Sequence, residues 1–186
     1  MKIEQTQESG NVKKEEVLSK DLADLLVKQL AHEMYNHNLY LSFASYYVSK
    51  GLEVIGEYYR RRAAEEKVHH DWIYNFLDEI GYVYPYPEIP KVDVSWKDLI
   101  EPFELTVQQE ILTTSMIYEL ADVAKEDGDW ITLQFLMDND AKRGMLIKEQ
   151  LEEEAISKTA LDIAKMEGSW LRKQKAIMDA YEGDND

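Results

Sequence analysis

A glutamate and a histidine lie one helical turn apart in the segment AEEKVHH, at Glu66 and His69. Residues three positions apart on an α-helix share a face, so both side chains can reach one cation. The pair by itself is common, and an ion pair on a charged helix surface is the ordinary alternative. Both residues, however, interrupt an apolar stripe of 3.6-residue spacing, which favours an inward position and a metal site.

Two further carboxylates interrupt apolar stripes elsewhere in the chain, at Glu33 and Glu110. Buried carboxylates are normally paired, protonated or bound to metal, because a lone buried charge is costly. Three carboxylates and one imidazole, without sulfur, suit Fe(II), Mn(II) or Zn(II). In this arrangement Glu66 can bridge two ions, Glu33 and His69 complete one site, and Glu110 caps the other.

Five helices are predicted to position these residues in an all-α fold. The segment 82–96 carries three prolines and is predicted to be an extended connection. Short turns join the first helix to the second and the third to the fourth, so each pair is antiparallel. The long connection returns the chain to its starting end, which gives a four-helix bundle with one long crossover. The predicted helices span about 18–49, 53–80, from between 95 and 102 to about 125, 130–165, and a short fifth helix at 169–181.

The level of each residue in the bundle can be estimated from its distance to the turn. With the first turn centred between residues 50 and 51, Glu33 is level with Val68, which lies between Glu66 and His69. The sequence therefore predicts that these three side chains meet at one height. Residues 1–16 are predicted to be a flexible arm, 17–167 the bundle, and 168–186 a short fifth helix with a polar tail.

Composition limits the class of protein. Asp and Glu number 37 against 21 Lys and Arg, and the formal net charge of −16 argues against a nucleic-acid partner. No apolar run is long enough to span a membrane, and the N-terminus lacks the apolar core of a signal peptide. The absence of cysteine fits a reducing cytoplasm and excludes thiolate metal sites. We therefore expect a cytoplasmic protein with no membrane partner.

These motifs resemble the ferritins, most closely the non-haem bacterial type. The resemblance places Glu33, Glu66, His69 and Glu110 as iron ligands and Tyr40 beside the iron centre. It covers about two thirds of the chain without a gap. The matching segments are LSKDLADLLVKQLAHEMYNHNLYLSF (18–43), RRRAAEEKVHH (60–70), VQQEILTTSMIYELADVA (107–124) and DWITLQFL (129–136).

The resemblance weakens after residue 136. Bacterial ferritins continue with an EQxEEE-like motif that supplies carboxylates for a third iron site, but here EQLEEE appears at 149–154, seven residues late. If the fourth helix is continuous, Met145 is level with Glu110, and Lys142 and Arg143 lie near the centre. Either the fourth helix is irregular near Gly144 or the third site is lost, and we expect loss, with a basic residue that competes with the second metal. We expect EQLEEE to be a solvated helix face, the alternative being an acidic patch that faces a cage interior and nucleates ferric mineral.

Three of the four histidines lie outside the predicted ligand set. His37 is expected at a helix contact or on the surface, and His70 on the surface, because it points about 100° away from His69. The remaining histidine is His32, so the predicted fourth helix contains no histidine. This absence disfavours the bacterioferritin type. Glu65 is a candidate secondary ligand.

The resemblance implies a ferroxidase and iron-storage function. Such a subunit assembles into a cage, oxidises Fe(II) with oxygen or peroxide at a di-iron centre formed by Glu33, Glu66, His69 and Glu110 beside Tyr40, and stores ferric mineral. Two alternatives stay open from the sequence. One is a non-catalytic storage or structural subunit whose centre is blocked from the fourth helix, and the other is a di-iron oxidase that forms no cage.

Overall fold

The computed structural model describes residues 18–137 and 146–183, and within these ranges the regular structure is entirely helical. The predicted arm at 1–16 and the residues Lys142, Arg143 and Gly144 lie outside the described ranges. The prolines of 82–96 keep that connection free of regular structure, as predicted. The helices are α1 (Lys20–Ser49), α2 (Glu53–Glu79), α3 (Glu101–Asp127), α4 (Trp130–Met137), α5 (Leu146–Lys165) and α6 (Trp170–Gly183).

Local signals in the sequence set the ends of the first hairpin. The Ser19 hydroxyl caps α1 by accepting a hydrogen bond from the Leu22 amide at 3.2 Å. After α1 the chain reverses through Gly51, whose φ of +74° is the left-handed conformation that glycine adopts without strain. A Cβ on Gly56 would lie 2.6 Å from Cγ2 of Val48, so glycine at this position lets α1 and α2 pack closely just beyond the turn.

The helices pair as the two hairpins predict. Helices α1 and α2 pack against each other, α3 packs against α1 and α5, and α6 lies across α2 and α5. The Tyr47 hydroxyl donates to the Leu99 carbonyl at 2.7 Å, which fixes the end of the crossover against α1. None of the described helices is long and apolar enough to cross a membrane.

Two apolar clusters fill the ends of the bundle, and a polar section separates them. The first cluster is rich in aromatic side chains, with the rings of Tyr47 and Tyr59 stacked at 5.5 Å. The second contains Leu22, Leu26, Ile73 and the stacked pair Phe76 and Phe135, among others. The polar section between the clusters contains Glu33, Arg62, Glu66, Glu110 and Glu153, none more than 6% exposed.

The fourth side of the bundle is built from α4 and α5. Thr114 contacts Glu154 and Glu104 contacts Lys165, so α5 runs antiparallel to α3. These partners lie further along the chain than a continuous helix from Trp130 would give. The interpretation that Met145 is level with Glu110 falls outside the described residues, but Nε2 of Gln150 on α5 donates to the Glu110 carbonyl at 3.2 Å, so a later part of the chain meets Glu110.

Candidate metal centre

The predicted ligands from the first hairpin meet in the polar section. One ligand atom from each of Glu33, Glu66 and His69 lies within 4.8 Å of the other two, and all three side chains are buried. The level estimate thus placed these side chains correctly, because α1 and α2 are uninterrupted on both sides of a short turn. Their role as metal ligands stays a prediction.

The hydrogen bonds around this first group leave atoms available for a cation. Glu33 receives a hydrogen bond from Nε2 of Gln29 on Oε1 at 2.5 Å, while its Oε2 receives none from the described residues. Oε1 of Glu66 and Nδ1 of His69 are likewise buried without a hydrogen-bond partner there. Unpaired buried oxygen and nitrogen atoms that converge on one point fit a divalent cation.

A second group shares Glu66 with the first. Ligand atoms of Glu66, Glu110 and Glu153 lie within 4.8 Å of one another, and all three residues are buried. Glu66 is therefore common to two groups of potential ligands, and its role as a bridge between two metal ions stays a prediction. Its third member, Glu153 on α5, was not among the predicted ligands.

Hydrogen-bond donors surround Glu110, in contrast to Glu66. Its Oε1 accepts from the Tyr40 hydroxyl at 2.5 Å and from Nη2 of Arg62 at 2.6 Å, and its Oε2 accepts from Nε2 of Gln150 at 2.8 Å. Tyr40 thus lies beside the centre as the resemblance implies, and it holds one of the carboxylates. Both oxygens of Glu110 are engaged before any metal arrives.

Burial dominates the protonation of the carboxyls. It raises the pKa of Glu66 well above the ordinary value of 4.5, and the charges of Glu110 and Glu33 raise that pKa further. It also raises the pKa of Glu153 to about 8, although His69 and Arg62 act in the opposite direction. The cluster therefore retains protons that a divalent cation would displace.

His69 responds to the carboxylates around it. Burial alone would lower its pKa, but Glu153 and Glu149 outweigh burial and raise the pKa to about 10. Nε2 of His69 lies 3.3 Å from Oε2 of Glu149. A carboxylate on one ring nitrogen orients the imidazole of a metal-binding histidine, and Nδ1, which lacks a hydrogen-bond partner among the described residues, would then be the nitrogen that binds a metal.

An open cavity of about 460 Å³ lies beside the cluster, and Arg62 and His69 are among the residues that line it. Its lining is rich in carboxylates, namely Glu65, Glu149, Glu152 and Glu153. From α6, the Tyr181 hydroxyl donates to Oε1 of Glu65 at 2.5 Å.

The prediction that EQLEEE is a solvated helix face was wrong. Gln150 and Glu153 are only 2% and 6% exposed and face the centre. Carboxylates of the run line the cavity beside Glu65, and the loss of a third iron site stays a prediction. The cause is the register of α5, which brings the late motif to the level where it meets α3.

The predictions for the two histidines His37 and His70, outside the ligand set, have different outcomes. Nδ1 of His37 lies 2.6 Å from the Ala63 carbonyl, so it is at a helix contact, as expected. The prediction that His70 is on the surface was wrong, because its side chain is buried. The crossover covers that face of α2, and the Tyr86 hydroxyl lies 2.6 Å from Nε2 of His70.

Arg62 is the residue that sequence reasoning missed. Its side chain is fully buried and forms an ion pair with Glu110. The sequence predicts a basic residue near the centre from the fourth helix, whereas Arg62 comes from α2. The three-arginine run 60–62 had the appearance of a charged surface. The available signal was spacing: Arg62 precedes Glu66 by four residues and so shares its face.

Comparison with known proteins identifies relatives across most of the chain. A family model described as a ferritin-like domain matches residues 23–166. The bacterial non-heme ferritin of Staphylococcus saprophyticus is 31% identical over 146 residues, which cover 78% of this chain and 83% of the relative. That of Staphylococcus haemolyticus is 30% identical over the same length, with 78% and 84% covered.

Solved structures give the same assignment. An open pore ferritin from the archaeon Archaeoglobus fulgidus superposes with a TM-score of 0.77 at 27% identity, covering 87% of this chain and 96% of that one. The Chlorobium tepidum ferritin superposes with a TM-score of 0.75 at 27% identity, covering 91% and 98%. The chain belongs to the ferritin family and has its four-helix bundle fold.

Proposed function

We propose that this protein is an iron-storage subunit that oxidises Fe(II) at the buried cluster and deposits the ferric product inside a cage. The observation that carries the proposal is the pair of adjacent ligand groups that share Glu66, one with Glu33 and His69 and the other with Glu110 and Glu153. Membership of the ferritin family supports iron as the cargo.

The chemistry follows from the charge and position of the ligands. Anionic oxygen ligands stabilise Fe(III) more than Fe(II), because the more highly charged ion gains more from them. Two Fe(II) ions held on either side of Glu66 each lose one electron. One dioxygen molecule takes both electrons with two protons to become hydrogen peroxide, or one peroxide takes them to become water.

Residues of the chain have separate parts in this reaction. Glu33, Glu66 and His69 hold the first iron, and Glu110 and Glu153 receive the second. Tyr40 positions Glu110 through its hydrogen bond, and Glu149 orients the His69 ring. Iron passes to the cluster along the acidic cavity.

Assembly into a cage is part of the proposal. Large apolar side chains are exposed on the single chain, and self-association would cover some of them. They include Ile111, Leu112, Tyr118, Trp130, Ile131 and Leu171. Light scattering after size exclusion should show one large closed assembly, whereas a monomer or dimer would favour an oxidase that forms no cage.

A second candidate function is a storage subunit without oxidase activity. The observation that favours it is the ion pair between Arg62 and Glu110, which occupies part of the second ligand group. This candidate predicts a cage that binds little iron within its bundles and oxidises Fe(II) no faster than buffer.

Oxidation kinetics separate the two candidates. Fe(II) is added anaerobically to metal-free protein, oxygen is admitted, and ferric absorbance is followed with time. We expect rapid oxidation that is lost in the double variant Glu66→Ala/His69→Ala. The matched control is Glu119→Ala, which removes an exposed carboxylate from α3 and should oxidise iron at the wild-type rate. Wild-type oxidation no faster than buffer would refute the ferroxidase function.

A further inference from the structure

We propose that Arg62 is a resident cation that occupies the second metal position at rest, so that the centre binds its two metal ions in sequence and with unequal affinity. The first ion binds to Glu33, Glu66 and His69, and the second must displace Arg62 from Glu110. Because this inference rests on metal binding at the cluster, the experiment below distinguishes its failure from that of the proposed function.

The contacts of Arg62 coincide with the second ligand group. Nη2 lies 2.6 Å from Oε1 of Glu110, and Nη1 lies 3.6 Å from Oε1 of Glu153. One guanidinium therefore contacts two of the three carboxylates that would hold the second ion. The side chain is fully buried, so solvent does not screen its charge.

The two halves of the cluster differ in the number of carboxylate oxygens that are free of hydrogen bonds from the described residues and so available to a metal. Oε2 of Glu33 and Oε1 of Glu66 lack hydrogen-bond partners among the described residues. Both oxygens of Glu110, by contrast, accept hydrogen bonds from Tyr40, Arg62 and Gln150. An incoming cation completes the first half but must break existing bonds and face a like charge in the second half.

Charge complementarity supports the same order. Four buried carboxylates converge on the section, and one arginine neutralises only part of their charge, which leaves room for one divalent ion. A second divalent ion beside a retained guanidinium would bring excess positive charge into a buried space. Departure of the guanidinium is therefore expected to accompany the second ion.

Arg62 has an alternative partner within reach. Nη1 already lies 3.3 Å from Oε2 of Glu65, which is partly exposed on the cavity wall. Rotation of the guanidinium toward Glu65 would release Glu110 and Glu153 while keeping the arginine paired. Nε of Arg62 has no hydrogen-bond partner among the described residues, and the 3.4 Å contact of Nη2 with the Ser157 hydroxyl is a long hydrogen bond that such a rotation would also break.

The test is calorimetric titration of metal-free protein with Zn²⁺, which is redox-inert and therefore reports binding without activity. For the wild type we expect one tight ion per chain that is lost in Glu66→Ala and unaffected by Glu110→Gln. In Arg62→Gln we expect a second tight ion, with its affinity raised roughly 100-fold or more by removal of the like charge. Glu110→Gln in that background should remove the second ion again.

Two controls isolate the charge of Arg62. Arg62→Lys keeps a cation and should bind one tight ion like the wild type. Arg60→Gln removes an exposed arginine of the same helix, paired only with Glu57 among the described residues, and should also bind as the wild type. A second tight ion in either control would contradict the inference.

The outcomes are distinct. Two equally tight ions in the wild type, one of them lost in Glu110→Gln, would overturn the inference while leaving the proposed function standing. The absence of any ion that depends on Glu66 would overturn both. If Arg62→Gln fails to fold, anomalous diffraction from zinc-soaked wild-type crystals decides: one ion with Arg62 still on Glu110 supports the inference, and two ions with that contact intact refute it.

Discussion

Replacing Glu66 by glutamine should stabilise the metal-free protein while abolishing metal binding. Glu66 is 1% exposed, and neighbouring carboxyl oxygens of Glu33 and Glu110 lie within 4.8 Å of its own ligand atom. No basic side chain among the described residues pairs with it, unlike Glu110. The amide has nearly the same shape as the carboxyl, without a charge or a proton to lose.

The gain in unfolding free energy of Glu66→Gln can be estimated from the cost of keeping the Glu66 carboxyl protonated in the wild type. Burial raises the pKa of Glu66 well above 4.5, so the folded protein favours the protonated form. A raised pKa costs the folded protein at most about 1.4 kcal/mol for each pH unit above the ordinary value of 4.5. Allowing for imperfect hydrogen bonding of the new amide, we expect about 1–3 kcal/mol of added unfolding free energy, or roughly 3–10 °C in Tm for a chain of this size.

The sign of the pH dependence identifies the cause. A carboxyl with a raised pKa in the folded state contributes a cost that is absent below about pH 4.5 and grows as the pH rises. The advantage of Glu66→Gln over wild type should therefore be small near pH 5 and increase by about 1.4 kcal/mol per pH unit toward neutrality. Thermal and urea unfolding with a chelator present, at equal protein concentration, measure this difference.

A zinc-saturated comparison completes the test. Wild type should gain about 2.7 kcal/mol at a zinc concentration 100 times its Kd, and the variant should gain little. Glu119→Gln, an exposed change on α3, should alter stability by no more than about 0.5 kcal/mol. A metal-free Glu66→Gln protein that is less stable than wild type, or a gain that does not change with pH, would refute the reasoning.

Three further predictions concern other parts of the structure. Zinc binding should release protons near neutral pH, because the pKa of His69 is raised to about 10, and the affinity for zinc should rise with pH. Calorimetry in buffers of different ionisation enthalpy measures the released protons, and equal heats in all buffers would contradict the prediction. Tyr40→Phe removes a donor from Glu110 and should lower the unfolding free energy by about 1–2 kcal/mol without loss of the first zinc, as urea unfolding and titration can check. Gly56→Ala places a methyl group 2.6 Å from Cγ2 of Val48 and should cost about 1–3 kcal/mol; unchanged stability would show that the helices separate easily.

The first hairpin could be predicted from the sequence because its geometry is local. Helix periodicity gives the inward face, and the glycine after α1 marks a short turn, so Glu33, Glu66 and His69 could be set at one level. Nothing between residues 20 and 79 interrupts the two helices except that turn. The long crossover was also evident, because its prolines exclude a helix.

The fourth side could not be predicted in the same way. The level of Glu153 depends on how the chain passes from α4 to α5, and distance from a turn carries no information once a helix is not continuous. Arg62 raised a different difficulty: an arginine among carboxylates is indistinguishable by composition from a surface charge. Only the packing of α5 against α2 and α3 shows that this arginine is enclosed.

The measurement that tests the central claim most directly is anomalous diffraction at the iron edge from crystals soaked anaerobically with Fe(II). The account predicts a peak bounded by Glu33, Glu66 and His69, and no such peak in Glu66→Ala crystals treated in the same way. At low iron concentration Arg62 should still contact Glu110. Iron found only on the surface carboxylates, with none among these three side chains, would contradict the account.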